Sequence, residues 1–339
     1  MNTSEARPLS PTAGKGKLAK FLRKYALQIA IVVVLLAIWA FFLSRSPRTF
    51  LAYDIYYSLL STTPYFAIMA IPLTLVVIAK EIDLSFPSIM AFGMAAFDLV
   101  FVACGSTTTG IWLGLLACLI AGALAGLLNG FIITKMGIPS LVATLGTQFL
   151  WRGVVMVLTN GKGLGMTQVT NTVLYPLLVG KLFNAVPAQF LWTIAIGVAI
   201  WFLLNHTRLG AHIYLTGDNV ESARLMGIDV DRTKTVAFTL VGLFAAFAGF
   251  IVSSSLMFFW PTMGDGYLLN TLASVFLGGT SVFGGTGTIF GTFIASFIIA
   301  IINPGIVAAG WLAYWTQLIY GFIIVLSVVL QAILRKRFS

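Results

Sequence analysis

The side chains that usually carry catalytic chemistry are few in this sequence and are not grouped for it. There are two cysteines, Cys104 and Cys118, and two histidines, His206 and His212. The cysteines lack metal-ligand spacing, and the histidines do not form an HExxH motif. The sequence also has no GxxxxGK[ST] phosphate loop and no GxSxG nucleophile elbow. We therefore expect no catalytic residue, metal site or cofactor, and no ATP hydrolysis by the chain itself.

Ionisable side chains next to or within apolar stretches are the first candidates for contact with a solute. Asp98 and Arg152 lie inside such stretches, where a charge is costly and by default indicates a function. A structural hydrogen bond explains Asp98 equally well, and Arg152 could instead snorkel to the membrane surface. Asp83, followed by Ser85, also fits a helix N-cap.

Glycine is dense between two apolar stretches, in GGTSVFGGTGTIFG from residue 278 onward. This composition permits close helix approach and irregular backbone at membrane depth, although a tight interhelical turn is the simpler alternative. The candidates for a translocation pathway or gate are Asp83, Ser85, Asp98, Thr144, Arg152, Gly279, Ser281, Gly285 and Gly287.

One internal stretch, residues 206–235, holds eight of the thirty charged residues, which are 20 Lys and Arg and 10 Asp and Glu. Within it, residues 221–227 predict a short helix ended by Gly227, because glycine readily takes the left-handed conformation after a helix. Such a helix on a loop between spans suits contact with another protein, and a solvated loop without a partner is the alternative. The candidates for that contact are Asp218, Glu221, Ala223, Arg224, Leu225, Met226 and Gly227.

Composition shows which kind of element must hold these residues in place. The chain is 59% hydrophobic and 9% charged, whereas a soluble domain has about 25% charged residues. There are too few polar side chains to cover a water-facing surface, so we expect an all-α polytopic membrane protein surrounded by lipid.

About ten spans are predicted. Residues 1–25 form a basic tail, residues 26–334 the membrane domain and residues 335–339 a second short tail. Spans two to five and seven to ten form two groups that run in opposite directions, the arrangement of an inverted repeat. The spans are near 26–43, 63–79, 87–103, 111–134, 140–158, 188–205, 236–258, 267–279, 286–302 and 311–333.

Basic residues predict the orientation of these spans. With both termini in the cytoplasm, fifteen Lys and Arg lie on that side and four lie outside, with Arg152 within a span. The positive-inside rule favours this arrangement, which makes residues 206–235 cytoplasmic. The net charge of +10 is therefore attributed to membrane topology and not to nucleic-acid binding.

Four motifs in order resemble the permease subunits of bacterial ABC importers of the ribose, galactose and autoinducer-2 type. The similarity runs from about residue 50 to 330. It departs from the family at Glu81 and at Phe86-Pro87, where glycine is usual, and at Thr286, where many members have a larger or basic residue. The motifs are EIDLSFPS from Glu81, PSLVATLG from Pro139 with Arg152-Gly153, SARLMGI from Ser222, and GGTSVFGGTG from Gly278.

This resemblance implies a set of partners. Two permease chains would form the pore, two ABC ATPase domains would dock on the cytoplasmic side, and a periplasmic binding protein would deliver a sugar. Residues 216–228 would be the coupling element against the ATPase, and the protein would lie in the bacterial inner membrane. The second permease chain could be identical to this one or a close paralogue.

Two other classes fit the sequence less well. An ion-coupled secondary transporter would favour several acidic residues within spans, and only Asp98 is clearly inside one. A membrane enzyme of lipid or glycan metabolism would require His, Asp or Glu clustered at one interface, and the sequence has no such cluster. We therefore expect a permease of an ATP-driven importer that is not itself an enzyme.

Overall fold

The computed structural model describes residues 26–182 and 185–338, so the tail predicted for residues 1–25 lies outside it. Most of the described chain is helical. The helices are α1 (Ala26–Arg45), α2 (Pro47–Phe50), α3 (Tyr53–Thr62), α4 (Pro64–Ile78), α5 (Phe86–Ala103), α6 (Thr108–Lys135), α7 (Ser140–Thr159), α8 (Leu174–Leu178), α9 (Ala188–His206), α10 (Arg208–Asp218), α11 (Val220–Leu225), α12 (Val230–Leu256), α13 (Tyr267–Leu277), α14 (Ile289–Ala308) and α15 (Trp315–Phe338).

Strands are few and short in the described residues. Strand β1 (Leu164–Gly165) pairs antiparallel with β4 (Phe258–Phe259), and β2 (Lys181–Leu182) pairs antiparallel with β3 (Val186–Pro187). A 3₁₀ helix covers Thr167–Asn171. Residues 335–338, predicted as part of a tail, continue α15 as helix.

Local sequence explains where several helices begin. The side chains of Thr107 and Thr288 accept hydrogen bonds from Gly110 N and Gly291 N, at 3.2 and 3.1 Å. Each threonine thereby satisfies a backbone N–H that has no partner within the first helical turn. Pro64 occupies the first turn of α4, where the missing N–H of proline costs no hydrogen bond.

Each of the ten predicted segments contains a helix, but not every helix is long enough to cross a bilayer. Eight helices of the described residues have the required length and hydropathy, and a ninth span results if α3 and α4, bent by 46°, count as one. Helix α13 has 11 residues, about half of the ~20 that a bilayer requires.

The path of the chain nevertheless passes from one side of the bundle to the other at α13. Tyr267, at its start, contacts Tyr65 near the start of α4 with ring centroids 6.5 Å apart. Beyond its end, Gly285 N donates to Ile78 O at the opposite end of α4, at 2.9 Å. The end of α4 at Ile78, together with α10 and α11, defines what we call the coupling side.

The two four-helix groups pack in corresponding ways. In the first group, α5 packs on α6 and α7, and in the second group α13 packs on α14 and α15 in the same way. The remaining helix of each group packs on the other group: α12 contacts α5 and α6, and α4 contacts α13 and α14. Helices α4 and α12 are antiparallel, because Tyr65 is hydrogen-bonded to Ser255 at 2.7 Å while Glu81 pairs with Lys234 at the other end. Both helices are followed by a left-handed non-glycine residue, Lys80 (φ 65°) and Met257 (φ 54°). This is the packing that an inverted repeat produces.

Helix α4 is the centre of the core, and all fifteen of its residues are buried. It is enclosed by α9, α12, α13 and α14. Helices α7 and α15 lie at the periphery and expose large apolar side chains, among them Phe149 and Phe322. A helix that is apolar on all faces must be surrounded by other protein or by lipid, and α4 is surrounded by protein.

Candidate coupling and translocation sites

The charged stretch 206–235 is not an open loop but largely two short helices, α10 and α11. Asn219 begins α11, where its Oδ1 accepts from Ser222 N at 2.9 Å. Helix α11 ends at Leu225, and Gly227 follows with φ 80°. The short helix ended by Gly227 is therefore confirmed, and it begins one residue earlier than predicted.

Two apolar side chains at the end of this helix face away from the protein. Leu225 is 86% exposed and Met226 is 59% exposed. Ala223, in contrast, is fully buried with Ile228 and Val230 in a small apolar cluster of its own. Ala223 was grouped with the partner-contact candidates, but its side chain only anchors α11 to its own chain.

Ion pairs hold α11 against the start of α12 and the end of α6. Asp231 accepts from Lys135 at 3.0 Å and from Arg224 at 3.1 Å. Glu221 and Asp218 are exposed and have no ion pair among the described residues. Exposed pairs of this type contribute little to stability, about 0–1 kcal/mol each, so their main effect is on orientation.

The end of α10 meets the end of α4 and the glycine-rich loop at a contact between backbones. A Cβ atom added at Gly217 would lie 1.7 Å from Ile78 O and 2.6 Å from Gly285 N. One added at Gly284 would lie 2.7 Å from Gly217 O. A Cβ at Gly285 would lie 3.1 Å from Asp218 Cα, a tight contact. We call Ile78, Gly217, Gly284 and Gly285 the glycine junction, because a larger residue at Gly217 or Gly284 would require the backbone to move.

The glycine-rich loop, residues 278–288, is a compact turn on the coupling side and contains four of the pathway candidates. Ser281 N donates to Thr286 O at 2.9 Å, and Gly279 and Gly285 have φ of 84° and 75°. A Cβ at Gly287 would lie 2.8 Å from the Ile78 side chain. Tyr214 Oη of α10 donates to Gly287 O at 2.9 Å, so the loop is bonded directly to the charged stretch.

Three other pathway candidates meet in one buried polar cluster between α4 and α5. Asp83 Oδ1 accepts from Ser85 N at 2.8 Å and from Ser85 Oγ at 2.7 Å. Asn129 Nδ2 donates to Ser85 Oγ at 2.6 Å. Thr144 Oγ1 donates to Ile82 O at 3.3 Å, and Ile82 N donates to Ser140 Oγ at 3.1 Å. We call Asp83, Ser85, Asn129, Ser140 and Thr144 the polar cluster.

The polar cluster contains two acceptors without a hydrogen-bond partner among the described residues, Asp83 Oδ2 and Asn129 Oδ1. Burial raises the pKa of the Asp83 carboxyl to about 6, although its hydrogen bonds with Ser85 and Asn129 lower it in part. Burial outweighs these bonds because it removes the water that stabilises the charged form. Asp83 Oδ1 accepts from Ser85 N, as the side chain of an N-cap residue would. However, the residue directly before α5 is Ser85 and not Asp83, and the Ser85 side chain does not cap the helix.

A buried ion pair lies close to this cluster. Glu81 pairs with Lys234 of α12, and their side chains are only 12% and 13% exposed. Lys234 supplies the counter-charge of the glutamate. The pair fixes the segment after α4 to the start of α12.

Arg152 binds the irregular segment between α12 and α13 on the side opposite the coupling side. Its guanidinium donates to Pro261 O, to Met263 O at 2.9 Å and to Asp265 Oδ1 at 2.7 Å. The Arg152 side chain is only 16% exposed, and these bonds are all made to its own chain. It satisfies carbonyl groups that the break between the helices leaves free.

Asp98 stays apart from the other candidates. It lies in α5, is half-buried, and has no hydrogen bond or ion pair among the described residues. The pathway candidates thus form two groups on the coupling side, with Arg152 and Asp98 elsewhere. Asn129, Ser140 and Gly217 were missed by the sequence reasoning, although a lone asparagine within the apolar stretch of α6 is a signal of the same kind as Asp98.

The described residues hold no group of three or more His, Cys, Asp or Glu that could bind a metal ion. Asp83 and Asn129 present only two oxygen acceptors, fewer than the six to eight ligands of a calcium site.

Comparison with known proteins assigns the chain to a family. Residues 55–328 match a family described as branched-chain amino acid transport system / permease component. The class is therefore that of a membrane permease component of a transport system, which is not itself a catalytic enzyme. The matched range covers most of the chain, and the chain belongs to this permease family.

Individual proteins that are similar to this chain are import permeases. The chain is 34% identical over 314 residues to the ribose import permease protein RbsC of Escherichia coli strain K12, covering 92% of this chain and 95% of the relative. It is 32% identical over 289 residues to the autoinducer 2 import system permease protein LsrC of Yersinia pseudotuberculosis strain YPIII, covering 85% and 80%. The LsrC protein of Photorhabdus luminescens is 33% identical, with 83% and 84% covered. No solved structure gave a significant match.

Proposed function

We propose that this chain is the transmembrane permease subunit of an ATP-driven importer that moves a monosaccharide or sugar-like solute across the bacterial inner membrane. The relatives named for ribose and autoinducer-2 import, aligned over most of both chains, support the solute class. The observation that carries the proposal is the exposed Leu225-Met226 pair on α11, next to the glycine junction.

The proposed partners follow from this arrangement. A cytoplasmic ABC ATPase would cover Leu225 and Met226, with Arg224 and Glu221 at the rim of the contact. Asp218 and Gly227 would set the position of α11 between α10 and α12. A second permease chain, identical or closely related, would complete the pore within the lipid, and a periplasmic binding protein would deliver the solute.

Leu225 and Met226 are proposed as the anchors because a few buried apolar side chains usually carry most of the energy of an interface. Their exposure leaves apolar surface uncovered on a charged helix. Movement of the ATPase against α11 would reach α10 and then, through Gly217 and Tyr214, both the end of α4 and the glycine-rich loop. The pathway candidates in that loop, Gly279, Ser281, Gly285 and Gly287, would move with it.

The polar cluster is the second part of the proposed gate. Asp83, Ser85 and Thr144 connect the segment after α4 to α6 and α7. A shift of the end of α4 would therefore also shift the start of α5. Two packed arrangements of these elements would correspond to the inward-open and outward-facing states of an alternating transporter.

The test is to replace Leu225 or Met226 with aspartate. Burying an unpaired carboxylate in an interface costs on the order of several kcal/mol. We expect each variant to lose co-purification with the ATPase and solute-stimulated ATP hydrolysis, as well as uptake. Lys162→Asp, on the segment between α7 and β1, is the control and should leave docking unchanged. Wild-type co-purification and stimulation in both aspartate variants would show that α11 is not the coupling element.

A further inference from the structure

A polar cavity lies on the side opposite the coupling side, between α3, α4, α13, α14 and α15. Its volume is about 470 Å³, within the range of roughly 300–1,000 Å³ usual for small-molecule sites. No Asp, Glu, Lys or Arg lines it. Its polar lining consists of hydroxyl and amide groups of Ser58, Thr62, Tyr65, Tyr267, Asn270, Asn303 and Tyr320.

Two tyrosines form a fixed aromatic corner in this cavity. Tyr65 and Tyr267 are packed edge to face, with ring centroids 6.5 Å apart and an interplanar angle of 66°. The Tyr65 hydroxyl is held by Ser255 Oγ at 2.7 Å, so its ring is oriented before any ligand arrives. The face of an aromatic ring is electron-rich and attracts weakly positive C–H groups such as those on one face of a sugar ring.

Other polar groups of the cavity are available for bonding. The hydroxyl of Tyr267 and the side-chain amide of Asn270 have no hydrogen-bond partner among the described residues. Asn303 Oδ1 accepts only a long bond of 3.4 Å from Thr316, which leaves its amide N–H groups free. An amide offers two donors and an acceptor, and a phenol one of each, the combination that a hydroxyl group of a ligand can satisfy.

A second cavity in the bundle is lined differently. The cavity between α5, α6 and α7 has about 580 Å³ and is lined by alanine, leucine, isoleucine, Phe92 and Trp151. Only the Trp151 indole offers a polar atom from a side chain there. The polar lining is therefore a feature of the first cavity and is not shared by every cavity in the bundle.

We infer that the cavity between α3, α4, α13, α14 and α15 is a binding site for a small neutral polyhydroxylated solute, with Tyr267 and Asn270 as its hydrogen-bonding residues. This inference rests on the proposed function and specifies where the solute is held after it enters. The absence of charged side chains from the lining disfavours phosphorylated sugars and amino acids, because their charges would be left unpaired.

Protection from chemical labelling tests the site directly. Ser58→Cys, at an exposed residue of the cavity lining and in a chain with Cys104→Ser, is treated with a water-soluble maleimide in the full-length protein with and without D-ribose, D-xylose or D-galactose. We expect at least one sugar to slow labelling by about threefold, the factor for a ligand at about twice its dissociation constant. Val173→Cys, which is on the same side but outside the cavity, is the control and should be labelled at one rate throughout. Val173 is 74% exposed.

A second variant keeps the test valid if the cysteine disturbs folding. Tyr267→Phe removes the free hydroxyl alone, and we expect sugar uptake to fall about five- to tenfold while ATPase co-purification is unchanged. Tyr175→Phe removes another hydroxyl without a partner among the described residues, at a residue that does not line the cavity, and should retain uptake.

Three results would overturn the inference. The first is unprotected labelling of Ser58→Cys together with normal uptake by Tyr267→Phe. The second is protection by phospholipid but by none of the sugars, which would make the cavity a lipid site. The third is wild-type protein that neither binds an ATPase nor takes up any sugar, in which case the proposed function fails as well.

Discussion

Asp83 shows how one buried carboxyl makes folding depend on pH. Its pKa is raised from 3.8 to about 6, so the folded chain binds this proton more tightly than the unfolded chain does. The contribution of Asp83 to the free energy of folding is then most favourable below pH 3.8, and it declines by on the order of 3 kcal/mol as the pH rises through about 6.

Asp83→Asn is therefore expected to remove this contribution to the pH dependence. The asparagine Oδ1 can still accept from Ser85, and its amide cannot become charged. Thermal unfolding in detergent at pH 4 and pH 7 should show the variant gaining relative to the wild type at pH 7. Asp54→Asn, at an exposed site in α3, is the control. Equal pH profiles for Asp83→Asn and wild type would contradict the assignment of Asp83.

Asp98 is the other residue whose replacement separates function from structure. It is half-buried in α5 and has no hydrogen bond or ion pair among the described residues, so its removal leaves no partner unsatisfied. We expect Asp98→Leu to insert and fold normally but to abolish uptake, as a pathway residue would. Unchanged uptake, measured at matched amounts of membrane protein, would make Asp98 a dispensable charge.

Among the elements, the contact between α10 and the end of α4 permits the sharpest prediction. A Cβ at Gly217 would lie 1.7 Å from Ile78 O, so alanine must push the two backbones apart. Overpacking of this kind costs about 1–3 kcal/mol. We expect Gly217→Ala to retain the ATPase in co-purification but to lower uptake per ATP hydrolysed.

Tyr214→Phe should have the same effect in a milder form, because it removes only the bond to Gly287 O. Gly146→Ala is the matched control, since nothing lies within 4 Å of a Cβ at that position. An unchanged ratio of uptake to hydrolysis in both Gly217→Ala and Tyr214→Phe would show that the glycine junction does not transmit coupling.

The elements were predictable from sequence wherever a local signal defines them. Gly227 and the polar residues before it specify α11, and apolar length specifies α5, α6 and α12. What the sequence did not show is which distant groups meet. Arg152 and Pro261 are over a hundred residues apart, and no local pattern predicts that the arginine satisfies a break between α12 and α13. Likewise, Ala223 looks like any small helix residue until Val230 and Ile228 are packed on it.

The prediction for the whole molecule concerns the side of the membrane on which each end of the chain lies. The chain path crosses the bundle at α13 although that helix is short, so both ends of the described chain lie on the coupling side. Together with the basic residues, this places reporters fused after Arg232 and after Arg337 in the cytoplasm. Fusion after Lys162 is the control and should report the periplasm. A periplasmic signal at Arg232 or Arg337 would contradict the arrangement.

Helix α4 has a consequence for how the protein is made. All of its residues are buried, and its principal packing partners, α9, α12, α13 and α14, follow it in the chain. At synthesis rates of roughly 5–20 residues per second, α4 waits about 10–35 s after leaving the ribosome before α12 is complete. During that interval lipid or a chaperone must cover the surface that protein covers later. Nascent chains that stop before Val230 should therefore be recognised by membrane quality control and degraded.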